Sequence, residues 1–297
     1  MKAIVFFCFR PPKEIFDFAK LLKNNEYDIF VSINDNKYII PEYDKKSINV
    51  IRLDDLIVKQ SGYFNSNWFI KDKVSSRDKA FYYFNKINHT DYKHIWFIEE
   101  DVFIPTPTTL SNIDHKYPEG DYMSNSYFII DNDINNLNNF NNINNNCPFH
   151  EFNNDYTFFE GDIFKQNNLK QYFNFPWLKG MSCAIRVTKN FLNLIDKFAI
   201  KNKTLIMDEI LYPTLALHNK LLIINPIELS PIVWRCKPTI GNYIEGYLYW
   251  NYNDINENYL FHPIKDLKIQ NELRIKHKYI SLPLPHVRKN MSKLIFY

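Results

Sequence analysis

His94-Ile95-Trp96-Phe97-Ile98-Glu99-Glu100-Asp101-Val102-Phe103-Ile104 reads as an apolar strand that runs straight into three consecutive carboxylates. A strand apolar on both faces belongs in the middle of a parallel sheet, covered by helices above and below. In open sheets of that kind, ligands bind outside the carboxyl ends of the strands, and the three acids stand there. Because side chains alternate along a strand, Glu99 and Asp101 share a face and Glu100 points elsewhere. Two such oxygens suit Mg²⁺ or Mn²⁺ beside a diphosphate. The same spacing also suits a strand that merely ends in a solvated acidic loop.

Working outward, Ala3 to Phe9, Asp28 to Ile33 and Ile48 to Leu53 are further strand candidates. Ile15, Phe18, Ala19 and Leu22 recur at i, i+3, i+4, i+7, which predicts a helix with one face on the sheet. Ala80, Tyr83, Phe84 and Ile87 repeat the pattern before the acidic strand. Phe191, Leu194, Ile195 and Phe198 repeat it after the apolar run Met181 to Val187. Alternating strands and helices predict a single α/β domain, Rossmann-like in its first half, with a mainly parallel sheet flanked by helices. No internal repeat of about 20 to 50 residues argues for a solenoid or propeller.

Composition narrows the classes. At 297 residues, 45% hydrophobic and 23% charged, the chain can bury a core without disulfides or a structural metal. A net charge of +3 is too slight for a nucleic-acid surface, so no nucleic-acid partner is expected. Cys8, Cys147, Cys183 and Cys236 lie far apart, without the spacing that holds zinc, and read as reduced thiols of a cytoplasmic protein. The run Ala3 to Phe9 is too short for a signal peptide, and no stretch approaches the roughly 20 apolar residues of a membrane span. Asp131 to Asn146, DNDINNLNNFNNINNN, carries too few apolar residues to nucleate a core and reads as a mobile surface insertion or a linker. Residues 265–297, with Lys265, Lys268, Arg274, Lys276, Lys278, Arg288, Lys289 and Lys293, form a basic tail expected to be a solvated face.

Glu99-Glu100-Asp101 at the end of an apolar strand resembles the DXD-type motif of the GT-A glycosyltransferases, although Glu stands where the first Asp is commoner. Other pieces occur in the family's order. Asp28 to Ile33 ends in Asn34-Asp35-Asn36, where that fold contacts the nucleotide base. Ser76-Arg77-Asp78-Lys79-Ala80 resembles the family's polar helix start beside the sugar donor, and Trp177-Leu178-Lys179-Gly180-Met181-Ser182-Cys183-Ala184 resembles the segment lining the acceptor side. The resemblance spans roughly residues 1 to 265. It implies a GT-A-like domain over residues 1–297, with a nucleotide-sugar-binding half at 1–130, the Asn-rich insertion at 131–146, an acceptor-side half at 147–264 and the tail.

The resemblance also implies roles. Glu99, Asp101 and His262, in Phe261-His262-Pro263-Ile264-Lys265, would hold Mn²⁺ or Mg²⁺. Arg10, Asp35, Arg77, Asp78, Lys79, Glu100 and Lys265 would contact the donor, a nucleoside-diphosphate sugar of the UDP-sugar kind. Trp177, in a loop flanked by Pro176 and Lys179, would meet the acceptor with Met181 and Ser182. Asp208 or Glu209, Asp208 being preferred, would take the proton of the acceptor hydroxyl in an inverting reaction. Helix capping accounts equally well for these two acids, and a retaining course stays open. The acceptor would be a glycan, a glycoprotein or a small molecule. Two rivals remain. A sugar-nucleotide nucleotidyltransferase carries a Gly-rich phosphate loop where this chain has Phe9-Arg10-Pro11-Pro12. A carbohydrate-binding protein on a degenerate scaffold would lack the metal. No P-loop, G-x-G-x-x-G, H-E-x-x-H or G-x-S-x-G occurs, which leaves NTPase, dinucleotide oxidoreductase, zincin and α/β-hydrolase readings without support.

Overall fold

Strand β1 (Lys2–Cys8) buries both of its faces: Ala3, Val5 and Phe7 point into one apolar layer, and Ile4, Phe6 and Cys8 into the other. This is what an unbroken apolar run specifies when helices cover both sides of a sheet. The structure is a computed structural model describing residues 1–67, 72–130, 143–144, 171–232 and 255–276. β1 pairs in parallel with β2 (Tyr27–Ile33) on one side and with β4 (Ile95–Glu99) on the other, while β3 (Ile48–Ile51) extends the sheet beyond β2. Past β4 the direction reverses. β7 (Trp177–Val187) runs antiparallel to β4, β5 (Tyr122–Ile130) antiparallel to β7, and the short β8 (Ile223–Ile224) and β6 (Ile143–Asn144) complete the order β3-β2-β1-β4-β7-β5-β8-β6.

Helices cover both layers. Val58 of α2 (Asp55–Gln60), Phe81 and Phe84 of α3 (Ser76–Lys86), Ile195 of α5 (Lys189–Asn202) and Leu211 of α6 (Asp208–His218) pack with Val5 and Phe97. On the other face, α1 (Lys13–Leu22) and α4 (Thr109–Lys116) pack Phe16, Phe18 and Leu110 against Ile4, Trp96 and Ile98. The single mainly parallel α/β sheet flanked by helices agrees with expectation, and all three periodic segments are helices. Pro213 lies inside α6, so a helix boundary there is not required.

Two expectations are corrected. Trp177 is not in a loop: it opens β7, is buried, and donates from Nε1 to Phe173 O at 3.2 Å. The basic tail is not uniformly solvated either. Arg274, on α7 (Leu267–Lys276), is buried, lies 3.5 Å from the Phe18 ring centroid and donates from Nε to Ile104 O at 2.9 Å. Its aliphatic stem and flat guanidinium allow this, because they pack on aromatic rings while the charge finds the Ile104 carbonyl and the amide oxygens of Gln270 and Asn271. Of the Asn tract, Ile143–Asn144 pair with β8, and the remainder lies outside the described residues, as do the tail beyond 276, Trp234 and Trp250. Among the described residues no helix is long and apolar enough to cross a membrane.

One buried ion pair ties the strands to α4. Arg186 Nη1 lies 2.9 Å from Asp114 Oδ1, and neither side chain is exposed. Asp114 also accepts from Tyr27 Oη at 2.5 Å and Trp96 Nε1 at 3.1 Å, so its carboxylate joins β2, β4, β7 and α4. Burial opposes its ionisation, yet Arg186 and Tyr27 hold its pKa below the usual range. Removing one member leaves the other charge buried and uncompensated, so Asp114→Ala is expected to cost about 3–5 kcal/mol in urea unfolding. A loss under about 1 kcal/mol would show that the network contributes little to stability.

Candidate active site

The strand order places a switch between β1 and β4, because the chain leaves β1 toward β2 and β3 and later returns to its other side. Crevices at such points, outside the carboxyl ends of the strands, are the usual ligand sites of open α/β sheets. An open cleft of about 470 Å³ lies there. Phe7 and Phe9 enter it from the end of β1, Asn34 from the end of β2, Ser75 to Arg77 from the start of α3, and Glu99 to Asp101 from the end of β4, with Lys265 closing the far side.

Glu99 is the last residue of β4, and the chain then turns, Val102 N donating to Glu99 O at 3.1 Å. A turn rather than the strand pleat therefore brings Asp101 back beside Glu99. Ile264 N donates to Asp101 O at 2.8 Å, which delivers His262 and Lys265 to the acids. His262 Nε2 lies 3.5 Å from Asp101 Oδ1 and 3.9 Å from Glu99 Oε2, and Lys265 Nζ lies 2.5 Å from Asp101 Oδ2. Burial opposes the charge on Asp101, but His262 and Lys265 prevail and hold its carboxyl well below the usual range. Arg77, buried and set over the Phe7 ring, pairs with both Glu99 and Asp208. Although burial disfavours its charge, the two carboxylates keep Arg77 firmly protonated. Glu100 touches the cleft but meets Cys8 on the other side, and burial together with Asp101 pushes its pKa up to about 7.

The donor set fits a divalent cation. Glu99, Cys183 and His262 each present one ligand atom within 4.8 Å of the others, and the buried Asp101 Oδ1 lies beside them, 3.5 Å from His262 Nε2. Cys183 is the member that sequence reasoning missed. Its spacing from the other cysteines and histidines carries no metal signature, because β4–β7 pairing alone brings it beside Glu99. Phe7, Phe9 and Ser75 were likewise not singled out as cleft residues, since each becomes one only at the end of its element.

Other anticipated contacts are engaged elsewhere. Asp78 forms the capping box of α3, bonding the Ser75 backbone N–H and hydroxyl at 2.7 Å each, and does not face the cleft. Lys79 is fully buried and braces the end of β2, donating to Asn34 O at 2.7 Å and Asn36 Oδ1 at 2.9 Å. Arg10 and Asp35 pair with each other at 2.7 Å outside the cleft lining. Trp177, Met181 and Ser182 are buried in β7, so none offers an open face to an acceptor; Ser182 donates to Asp208. Asp208 is the first residue of α6 and Met207 its cap, so Asp208 is not the N-cap. Burial pushes its pKa up to about 7 despite Arg77. Glu209 lies 3.5 Å from Lys179 and keeps 15% of its side chain exposed, against 3% for Asp208.

No protein-family model matches the chain, and no curated protein does. Among solved structures, the chain is similar to galactosyltransferase LgtC in complex with donor and acceptor sugar analogs, at 10% identity and a TM-score of 0.41 over 99% of this chain and 100% of that one. It is also similar to an active-site mutant of LgtC, at 9% identity and a TM-score of 0.40 over 93% of this chain and 96% of that one.

The capping geometry makes Asp78 a stability residue. Asp78→Ala is expected to lower unfolding free energy by about 0.5–2 kcal/mol, the usual cost of a lost cap. An unchanged melting transition in this variant would show that the cap contributes nothing to stability.

Proposed function

We propose that the chain is a glycosyltransferase that moves a sugar from a nucleoside-diphosphate sugar, a UDP-sugar, to a hydroxyl of a glycan, glycoprotein or small-molecule acceptor. The observation that carries this reading is the meeting of Glu99, Asp101 and His262 at the β1–β4 switch, where Glu99 and Asp101 line a cleft together with the N-terminus of α3. The free N–H groups and dipole of a helix start favour phosphate oxygens. In this reading Asn34 and Phe9 meet the base and ribose, and the diphosphate lies between the start of α3, Arg77 and Lys265. Lys265 is one-third exposed, and its flexible stem allows it to turn from Asp101 to a phosphate. A divalent cation, Mn²⁺ or Mg²⁺, held by Glu99, Asp101 and His262 would supply charge to offset that on the departing nucleoside diphosphate.

Asp208 fixes the guanidinium of Arg77, and Ser182 holds the Asp208 carboxylate, so we assign Asp208 to positioning. Glu209, the more exposed of the two acids, is then assigned to the acceptor's proton in an inverting reaction. One observation favours a second reading, a non-enzymatic scaffold: Lys265 and Arg77 already neutralise Asp101 and Glu99.

Titration calorimetry with UDP and Mn²⁺ separates the readings. Asp101→Ala is expected to weaken metal-dependent UDP binding at least tenfold, or about 1.4 kcal/mol, with the fold intact by circular dichroism. UDP affinity unaffected by EDTA and by this variant would establish the scaffold reading. For the acids, Asp208→Asn should weaken donor binding through Arg77, whereas Glu209→Gln should bind donor normally yet transfer about 10²–10⁴-fold more slowly, the usual worth of a general base. Wild-type turnover in Glu209→Gln would remove it from proton transfer.

A further inference from the structure

Cys183 is free, buried and unused by the reaction proposed above, yet its sulfur lies among the donor atoms of Glu99 and His262. We propose that Glu99, Cys183 and His262, with Asp101 alongside, form a binding site for a thiophilic divalent cation, zinc above all. The inference rests on the same cation site as the reading above but needs no nucleotide.

The chemistry of the donors argues for it. Carboxylate oxygens alone favour hard ions such as Mg²⁺ and Mn²⁺, but a thiolate and an imidazole select zinc, and zinc also outranks manganese in general affinity. The separations suit it as well. Bonds of about 2.0–2.3 Å in a tetrahedron set ligand atoms about 3.5 Å apart. His262 Nε2 is 3.5 Å from Asp101 Oδ1 and 3.9 Å from Glu99 Oε2. Cys183 Sγ lies within 4.8 Å of the Glu99 and His262 donors, so any closure to ligand spacing is small enough for side-chain rotation.

Asp101 Oδ1 is buried and faces the His262 imidazole at 3.5 Å, so the oxygen and the ring nitrogen stand at the separation of two ligands of one ion. Binding would form a sulfur–metal bond and release the thiol proton to water, with no change of oxidation state. Glu99, at 31% exposure, leaves the site open toward the cleft, so the ion would keep an exchangeable position.

The test is titration of the reduced, EDTA-treated full chain with Co²⁺, a spectroscopic stand-in for zinc. A thiolate-to-cobalt charge-transfer band saturating at about one equivalent is expected. Cys183→Ser should abolish the band and weaken competing Zn²⁺ at least tenfold, and Cys8→Ser should leave both unchanged. Cys183→Ala, which suits the apolar neighbourhood of Met181 and Ala184, covers the case in which serine disturbs folding. Absence of the band in the wild type, or its survival in both Cys183 variants, overturns the proposal. Mn²⁺-dependent UDP binding is scored separately: if it is absent while the band is present, the glycosyltransferase reading fails and the zinc site stands.

Discussion

Carboxylates at the end of a strand buried on both faces cannot stay ionised unless cations are brought to them. β4 imposes this condition, since Trp96, Phe97 and Ile98 are fully buried and carry Glu99 to Asp101 directly behind them. The cations come from far away in the chain. Arg77 reaches Glu99 from the start of α3, and Lys265 reaches Asp101 across 164 residues. The C-terminal segment is further tied to the acidic turn by Ile264 N to Asp101 O and by Phe103 paired with Phe261. Satisfying the acids therefore also decides where that segment packs.

The compensation is incomplete, and that incompleteness gives the site its chemistry. Glu99, Asp101, Asp208 and Glu209 face Arg77, Lys265 and Lys179, so the fourth charge is balanced by His262, by an added cation or by a proton on Asp208, whose pKa burial pushes up to about 7. Arg77 is shared between Glu99 and Asp208, which couples the cleft acid to the acid at the start of α6. Removing any one member strands its partners in a low dielectric, so the network responds as a unit rather than as separate pairs. The raised pKa of Asp208 has the same origin: burial costs its charge more than half of one guanidinium returns.

The sequence made the sheet legible because its signals are local. The unbroken apolar runs of β1 and β4 and the spacing of Ile15, Phe18, Ala19 and Leu22 report burial directly, and the structure places each as expected. Glu99, Asp101, His262 and Lys265 do come together, with a turn doing what the pleat was expected to do. Charged residues near the site were harder to sort. Asp78 and Lys79 sit in the same helix start as Arg77, yet successive residues on a helix point about 100° apart. Only Arg77 reaches the acids, while its neighbours cap the helix and brace β2. Trp177 misled for a related reason: a Pro before it suggested a loop, whereas the strand begins immediately after that proline.

Cys183 shows where reading along the chain stops. Its local context, Met181-Ser182-Cys183-Ala184, describes an apolar strand that by resemblance lines the acceptor side, and carries no sign of a metal ligand. The β4–β7 ladder ends at Ile98 and Ala184, so Glu99 and Cys183 are the residues that leave it side by side. An antiparallel neighbour differs from a parallel one in this respect, because its chain runs away from the cleft as β4 runs into it. The reversal of direction after β4 thus delivers side chains from the start of β7 to the same end of the sheet as the carboxyl ends of β1, β2 and β4. The Cys183 sulfur reaches the oxygens and the imidazole because β7 runs antiparallel beside β4 in the middle of the sheet.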